Sequence, residues 1–197
     1  MNGFEKRTAE KKHQVINATF ELMNSEAGLE NLTIEEIVTY SKVSKATIFK
    51  YFGSKEKLIG EVFKHFLNRM GETARQIMEK NLPFEETMIA MSQNKIQFLE
   101  KVNKQFYLDL MAHVTRKEND ELSTLMEAYS QESFTIMLDL FHRGRKEGKV
   151  ALKYSDEFLL LYFEALVEGI SNPKIYEKIM PYTKEWTELM LKGIAPD

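Results

Sequence analysis

A run of basic and hydroxyl-bearing residues between positions 33 and 58 has the chemistry of a surface that binds phosphate and nucleobases. It reads TIEEIVTYSKVSKATIFKYFGSKEKL, and between residues 42 and 57 it holds five lysines against one glutamate. Lysine donates hydrogen bonds to phosphate oxygens and to guanine, and threonine can bond to either a phosphate or a base. Apolar residues recur in the run at helical spacing, in two short stretches that a tight turn separates. The pattern predicts a helix-turn-helix that reads DNA.

The second of these helices, predicted over 44–52, carries the candidate base readers. Only the exposed face of a helix in the major groove reaches base edges. Lys45 and Lys50 can donate to guanine O6 and N7, and Thr47 can bond a base or touch a thymine methyl group. Ala46 lets the helix approach closely because its side chain is a single methyl group. The residues predicted to face the bases are Ser44, Lys45, Ala46, Thr47 and Lys50.

Three further residues have the chemistry of phosphate clamps, namely Thr33, Tyr51 and Lys55. Thr33 and Lys55 lie in predicted first turns, where free backbone N–H groups and the helix dipole favour an anion. Less specific roles stay open: Ser44 can serve only as a helix cap, and Tyr51 can be partly core. For the whole segment, the alternative is a three-helix packing unit with solvated lysines.

Helical periodicity covers most of the chain, and no alternating run of useful length indicates a strand, so the predicted fold class is all-α. Thr33 followed by Glu36 has the spacing of a capping box, and Gly28 is expected at the C-cap of the first helix. We predict about nine helices, covering 6–27, a second from 33, 44–52, a long fourth from 54, then 84–101, 104–115, 119–147, 155–171 and 174–192.

The chain divides at the start of the fourth predicted helix. Residues 1–53 form a predicted DNA-binding domain of three helices, and residues 54–197 form a larger helical bundle whose first helix joins the two. The net charge of the whole chain is −3. A basic patch on an acidic protein is expected where only one small surface contacts phosphate.

Composition excludes several other classes of protein. The chain has no cysteine, so neither a disulfide framework nor a cysteine nucleophile is available. The charged N-terminus indicates no signal peptide, and no window is apolar enough for a membrane span, so we expect a cytoplasmic protein without membrane contact. The four histidines are scattered, and HExxH, GxSxG and phosphate-binding glycine loops are absent. We therefore expect no enzyme activity, no metal and no cofactor.

Residues 10–60 resemble the TetR/AcrR family of bacterial transcriptional regulators. The residues that carry this resemblance are Ala18, Phe20, Gly28, Thr33, Ile37, Val43, Ser44, Thr47, Phe49, Tyr51, Phe52, Lys55 and Leu58. The resemblance implies a homodimer, one helix-turn-helix in each subunit, and a C-terminal domain for effector binding and dimerisation.

The chain also departs from the family pattern. Lys42 stands where the turn usually has Gly, and a non-glycine residue in the left-handed conformation costs roughly 1–2 kcal/mol. Lys57 replaces the usual Glu, so the cap of the fourth helix is expected to be weaker. Lys50 stands where His is common, so the base preferences of other members do not transfer.

Methionine and aromatic residues are concentrated after residue 65, where nine of the eleven methionines lie. Flexible thioethers and aromatic rings suit a pocket for an apolar or aromatic effector. The alternative for each of these residues is the core of a helical bundle. The candidate effector-binding residues are Phe106, Met111, His113, Met126, Tyr129, Phe134 and Met137.

The last two predicted helices carry more apolar residues than one packing face requires. In the family, this pair of helices forms a four-helix bundle with its two-fold mate, and an isologous dimer suits a palindromic site. The alternative is packing within the monomer alone. The candidate interface residues are Phe158, Tyr162, Leu166, Ile179, Trp186 and Leu189.

Together these patterns predict a dimeric repressor that binds a palindromic operator in double-stranded DNA and is released by a small effector. Two alternatives stay open. One is a helical module that binds an effector or a protein without regulating transcription. The other is a DNA-binding activator, or a regulator that does not respond to an effector.

Overall fold

The computed structural model describes residues 3–115, 121–171, 175 and 178–196, and within them the chain is helical with no β-strand. This confirms the predicted all-α class. The helices are α1 Gly3–Met23, α2 Ile34–Ser41, α3 Lys45–Phe52, α4 Lys55–Glu79, α5 Phe84–Leu99, α6 Lys104–Thr115, α7 Glu121–Lys146, α8 Asp156–Ser171, a short 3-10 helix Met180–Tyr182, and α9 Thr183–Ile194. None of the helices in the described part of the chain combines the length and the apolar character that crossing a membrane requires.

By packing, the chain divides into two compact units. Unit 1 comprises Met1–Arg69 and Lys101–Ser123, and unit 2 comprises Met70–Glu100 and Thr124–Asp197. Helix α6 therefore belongs to the same packing unit as α1, α2 and α3, and α4 is divided between the units. The division at residues 53 and 54, which concerns roles rather than packing, stays a prediction.

Unit 1 has an aromatic centre around Phe106, which has no exposed surface. The Phe106 ring centroid lies 5.1 Å from that of Phe20 and 5.4 Å from those of Phe63 and Phe66. All three pairs are edge-to-face, the arrangement that aromatic quadrupoles favour. Helices α1, α4 and α6 thus pack together around the ring of Phe106. This packing supports the helix-turn-helix.

A pair of asparagines joins the end of α1 to the start of α6 within unit 1. The backbone N–H of Asn103 donates to Asn24 Oδ1 at 2.6 Å, and Asn103 Nδ2 donates to the carbonyls of Asn24 and Ser25 at 2.6 and 3.0 Å. Helix α1 ends at Met23 rather than at the predicted residue 27, and the carbonyls of Asn24 and Ser25, just beyond its end, accept from Asn103. Gly28 lies in the turns that follow, with φ of 63°.

Unit 2 is built around a cluster contributed by α5, α7, α8, α9 and the segment that follows α7. Its buried members are Phe84, Met88, Met137, Leu140, Phe141, Val150, Leu159, Met190 and Ile194. The single helix predicted over 174–192 is wrong, because a 3-10 helix over Met180–Tyr182 precedes α9. Pro181 explains the interruption, since proline has no backbone N–H to donate within a helix.

Close packing in unit 2 makes Gly144 a sensitive position. A Cβ atom there would lie 2.6 Å from Val150 Cγ2 and 2.9 Å from Phe84 Cδ2. We expect Gly144→Ala to lower the free energy of unfolding by up to about 2 kcal/mol, because a helix-propensity gain of about 1 kcal/mol only partly offsets an overpacking cost of about 1–3 kcal/mol. Chemical denaturation measures the change. Gly60→Ala in α4 is the control, since its Cβ meets nothing within 4 Å, and a similar gain in both variants would contradict the clash.

Candidate nucleic-acid interface

Helix α2 is held in place by the predicted capping box, which the structure confirms. The Glu36 carboxylate accepts from the Thr33 N–H at 2.9 Å, and the Glu36 N–H donates to Thr33 Oγ1 at 3.2 Å. The Thr33 hydroxyl also donates to Glu36 Oε2, at 2.8 Å, and this bond, followed by that of the Thr33 N–H, holds the pKa of Glu36 below its usual value. Because Glu36 and Thr33 satisfy each other, the start of α2 has a fixed position ahead of the turn.

In the turn between α2 and α3, the non-glycine residue Lys42 has the left-handed conformation, as expected. Lys42 has φ of 54° and ψ of 26° and is exposed. On either side, Ser41 and Val43 are buried, and the Ser41 carbonyl accepts from Gln14 Nε2 of α1 at 2.7 Å. The turn is therefore anchored to α1 on one side while Lys42 stays in solvent.

Ser44 is the N-cap of α3, as its sequence position indicated. Its Oγ accepts from the Thr47 N–H at 3.3 Å and lies 2.9 Å from Thr47 Oγ1. Ile48 and Phe52 are buried and attach α3 to unit 1. The other predicted readers stay available at the surface: Lys45, Ala46 and Lys50 are exposed, and Thr47 is half-buried.

Lys45 already has a partner in the folded protein, which the sequence reasoning did not anticipate. Its Nζ lies 2.7 Å from Glu35 Oε1 of α2, and both side chains remain mostly exposed, at 57% for lysine and 71% for glutamate. The hydrogen bond from Lys45 is the main cause that lowers the pKa of Glu35 below its usual value. The nearest sequence signal was the acidic pair Glu35-Glu36 at the start of α2.

Tyr51 is half-buried near the end of α3, with its ring edge-on to Phe52 at a centroid distance of 6.4 Å. Lys12 of α1 places its Nζ 5.9 Å from the centre of the Tyr51 ring. The contact is of the cation–π type, at the outer limit of its range. The contact places Lys12 beside Tyr51, which is a candidate phosphate clamp. In the sequence, only the basic pair at positions 11 and 12 indicated it.

Lys55 has a structural contact in addition to its predicted phosphate role. Its Nζ donates to the carbonyl of Leu32 at 2.6 Å, which ties the start of α4 to the residue before Thr33. An ammonium group has three donors, so two remain for an anion. Lys55 is therefore both a positioning residue for α2 and a candidate phosphate ligand.

We expect Lys55→Ala to lower stability by about 1.5 kcal/mol, the lower end for hydrogen bonds to charged groups, because the side chain is only half-buried. Thermal and chemical denaturation measure the loss. Lys57→Ala is the matched control: Lys57 is exposed in the same first turn, and only its backbone N–H bonds to Ser54 Oγ, at 3.2 Å. Equal stability of the two variants would show that the Leu32 contact stabilises nothing.

The candidate effector residues are divided between the two packing units. Phe106, Met111 and His113 belong to unit 1, where the His113 ring lies 5.3 Å from the Phe63 ring. Phe134 and Met137 belong to unit 2, and Met137 is part of its buried core. The side chains of Met126 and Tyr129 lie outside the described residues. An effector site lined by these residues stays a prediction.

The candidate interface residues on α8 and α9 include well-exposed apolar side chains. Phe158 is 50% exposed and Leu189 is 68% exposed. Phe158 also stacks between Tyr154 and Tyr162, at centroid distances of 5.5 and 6.4 Å. Four further candidates are half-buried, namely Tyr162, Leu166, Ile179 and Trp186. Exposed apolar faces of this kind suit a protein–protein contact.

A capped helix-turn-helix whose second helix exposes lysine and threonine, within an all-α chain, defines a helix-turn-helix DNA-binding protein. The family model described as bacterial regulatory proteins, tetR family, matches residues 15–62. Residues 15–62 therefore carry the DNA-binding domain of this family, which is a family of transcriptional regulators rather than of enzymes.

Relatives agree with this assignment. The HTH-type transcriptional regulator YhgD of Bacillus subtilis is 34% identical over 61 residues, which are 31% of this chain and 32% of YhgD. YvaF of the same organism, also an HTH-type transcriptional regulator, is 22% identical across 93% of this chain and 95% of its own. A TetR transcription regulator from Haloarcula marismortui has the same fold, with a TM-score of 0.78 and 13% identity over 95% of this chain and all (100%) of its own.

Proposed function

We propose that the protein is a dimeric transcriptional repressor that binds a palindromic operator through α3 and is released by a small apolar or aromatic effector. The observation that carries the proposal is the exposed face of α3, where lysine, alanine and threonine stand on a helix whose other face is buried. Acting on chromosomal DNA, the protein would work in the cytoplasm.

Two copies of α3 are needed to read a palindrome. In a two-fold dimer, each copy enters one of two major grooves on the same side of the duplex, about 34–36 Å apart or at a multiple of that distance. Exposed Phe158 and Leu189 support α8 and α9 as the self-complementary contact. Tyr51 and Lys55 then fix the register on the phosphates while α3 reads the bases, and Thr33, whose N–H and hydroxyl donate to Glu36, positions the first turn of α2.

Release by an effector requires a difference in effector affinity between free and DNA-bound protein. Helix α4 begins just after α3 and contributes residues to both packing units, so we propose it as the element that responds to the effector. A coupling free energy of about 1–3 kcal/mol would weaken DNA binding about 5–150-fold. The effector must favour a conformer in which the two α3 helices are spaced wrongly for the operator.

Selection of bound duplexes from a random pool tests the DNA-binding part of the proposal. We expect a palindrome, and sedimentation of the purified complex is expected to show two chains on each site. Recovery of no preferred sequence by a protein shown to be folded and dimeric, before and after unfolding and refolding to remove bound small molecules, would contradict operator binding. The effector part is tested by titrating candidate apolar and aromatic compounds with free and DNA-bound protein, where equal affinity would contradict release.

A further inference from the structure

The ion pair between Glu35 and Lys45 places a carboxylate beside the DNA-reading helix, where a polyanion is expected to bind. A negative charge at such a surface opposes binding unless it also makes a favourable contact. Glu36 is explained by the cap of α2, since it accepts from Thr33, whereas the side chain of Glu35 makes no bond to that cap. Glu35 lies in the first turn of α2, where a negative charge is favourable, and its carboxylate also contacts Lys45 Nζ at 2.7 Å.

We propose that Glu35 is a specificity-determining residue, which with Lys45 forms a charge-neutral pair that reads the edges of guanine and cytosine. The inference rests on the proposed insertion of α3 into the major groove. The pair joins the second residue of α2 to the first residue of α3, so it lies at the end of α3 that meets base edges in helix-turn-helix proteins.

The chemistry of the two groups matches one base pair in particular. The Lys45 ammonium has three donors and gives one to Glu35, so two remain for guanine O6 and N7. Glu35 Oε2 is left as an acceptor, and a carboxylate in the major groove accepts from cytosine N4. A thymine O4 facing the same carboxylate would be repelled, because both atoms are acceptors.

The neutral charge of the pair has a second consequence. A lone lysine is attracted to any phosphate, and each phosphate that it neutralises steepens the salt dependence of binding. With Glu35 beside it, Lys45 adds little to this sequence-independent attraction. Glu35 thus keeps Lys45 as a base reader and leaves phosphate binding to residues such as Lys55.

The test compares Glu35→Gln with Lys45→Ala, the double variant, and Glu21→Gln, which removes an exposed charge from α1. Fluorescence anisotropy measures affinity for the selected operator, for operators changed at single base pairs, and for a scrambled duplex, between about 50 and 200 mM salt. In Glu35→Gln, discrimination at one G·C pair is expected to fall by about 5–150-fold, the range of one good base contact. Affinity for scrambled DNA is expected to rise. The slope of log affinity against log salt concentration is expected to become steeper by about 0.9.

The double variant shows whether Glu35 acts through Lys45 or only by changing the charge of the surface. In the Lys45→Ala background, Glu35→Gln is expected to add little further loss of discrimination, because the pair is already broken. A full, additive loss would show that Glu35 acts without Lys45 and would overturn the pair. A Glu35→Gln profile equal to that of Glu21→Gln would overturn the proposal entirely. A wild-type protein that selects no sequence would instead contradict the proposed operator binding.

Discussion

Replacing Ala46 by glutamate is expected to weaken operator binding by about 100-fold or more while leaving the fold intact. Ala46 is exposed at the second position of α3, so the longer side chain meets no protein atom of the core. If α3 lies in the major groove, the new carboxylate approaches the phosphates and the base acceptors, and like-charge juxtaposition costs several kcal/mol. A glutamate in the first turn of a helix is otherwise favourable to helix stability.

The matched control is Ala46→Gln, which has nearly the same shape without the charge. Anisotropy titrations at about 150 mM salt are expected to show a smaller loss for glutamine than for glutamate, and melting temperatures close to that of the wild type for both. Wild-type affinity in Ala46→Glu would mean that this face of α3 does not contact DNA.

Phe106→Ala is expected to lower the free energy of unfolding by about 3–5 kcal/mol, the range for a buried phenylalanine that leaves a cavity. The ring has no exposed surface and contacts aromatic rings from α1 and α4. Urea denaturation followed by circular dichroism measures the loss. The result also decides between the two interpretations of Phe106, because a ring that lines an open effector pocket would have fewer contacts to lose.

Phe4→Ala is the control for this substitution, since it removes the same side chain from a position that is 69% exposed. We expect its stability to stay within about 0.5 kcal/mol of the wild type. A loss below about 1 kcal/mol in Phe106→Ala would contradict its role as the centre of the unit 1 core and would favour the effector-pocket interpretation.

The local features of the fold could be predicted because each depends on residues close in sequence. Thr33 and Glu36 are three positions apart, and their capping box formed as expected. Ser44 caps α3 in the same way, and α6 has the predicted bounds of 104 and 115. The left-handed turn at Lys42 was expected from the resemblance to the TetR/AcrR family, in which the turn usually has Gly at this position. Helix ends where the chain contacts distant residues were less accurate, and α1 is the example, since the carbonyls just beyond its end accept from Asn103.

The contacts that define the DNA-facing surface were missed for the same reason. Lys45 bonds to Glu35, ten positions away, and Lys55 bonds to the Leu32 carbonyl, 23 positions away. Periodicity places a lysine on the exposed face of a helix but does not say which neighbouring group it contacts. Both lysines were predicted as DNA ligands, and the structure adds to each a partner within the protein.

The C-terminal residues show a different limit of sequence reasoning. Methionine and phenylalanine suit both a core and a pocket, so composition alone could not decide between these roles. Phe106 and Met137 proved to be buried in separate packing units. Their exposure and neighbours depend on how several helices pack, which no single stretch of sequence encodes.

Methylation interference on the selected operator tests most directly whether α3 reads DNA in the major groove. Guanine N7 lies in that groove, so its methylation blocks a lysine that donates to it. We predict two groups of interfering guanines, centred about 10–10.5 base pairs apart or at a multiple of this spacing, and loss of one guanine from each group in Lys45→Ala. Binding that is unaffected by N7 methylation, with interference only at adenine N3 in the minor groove, would contradict the proposed mode of binding.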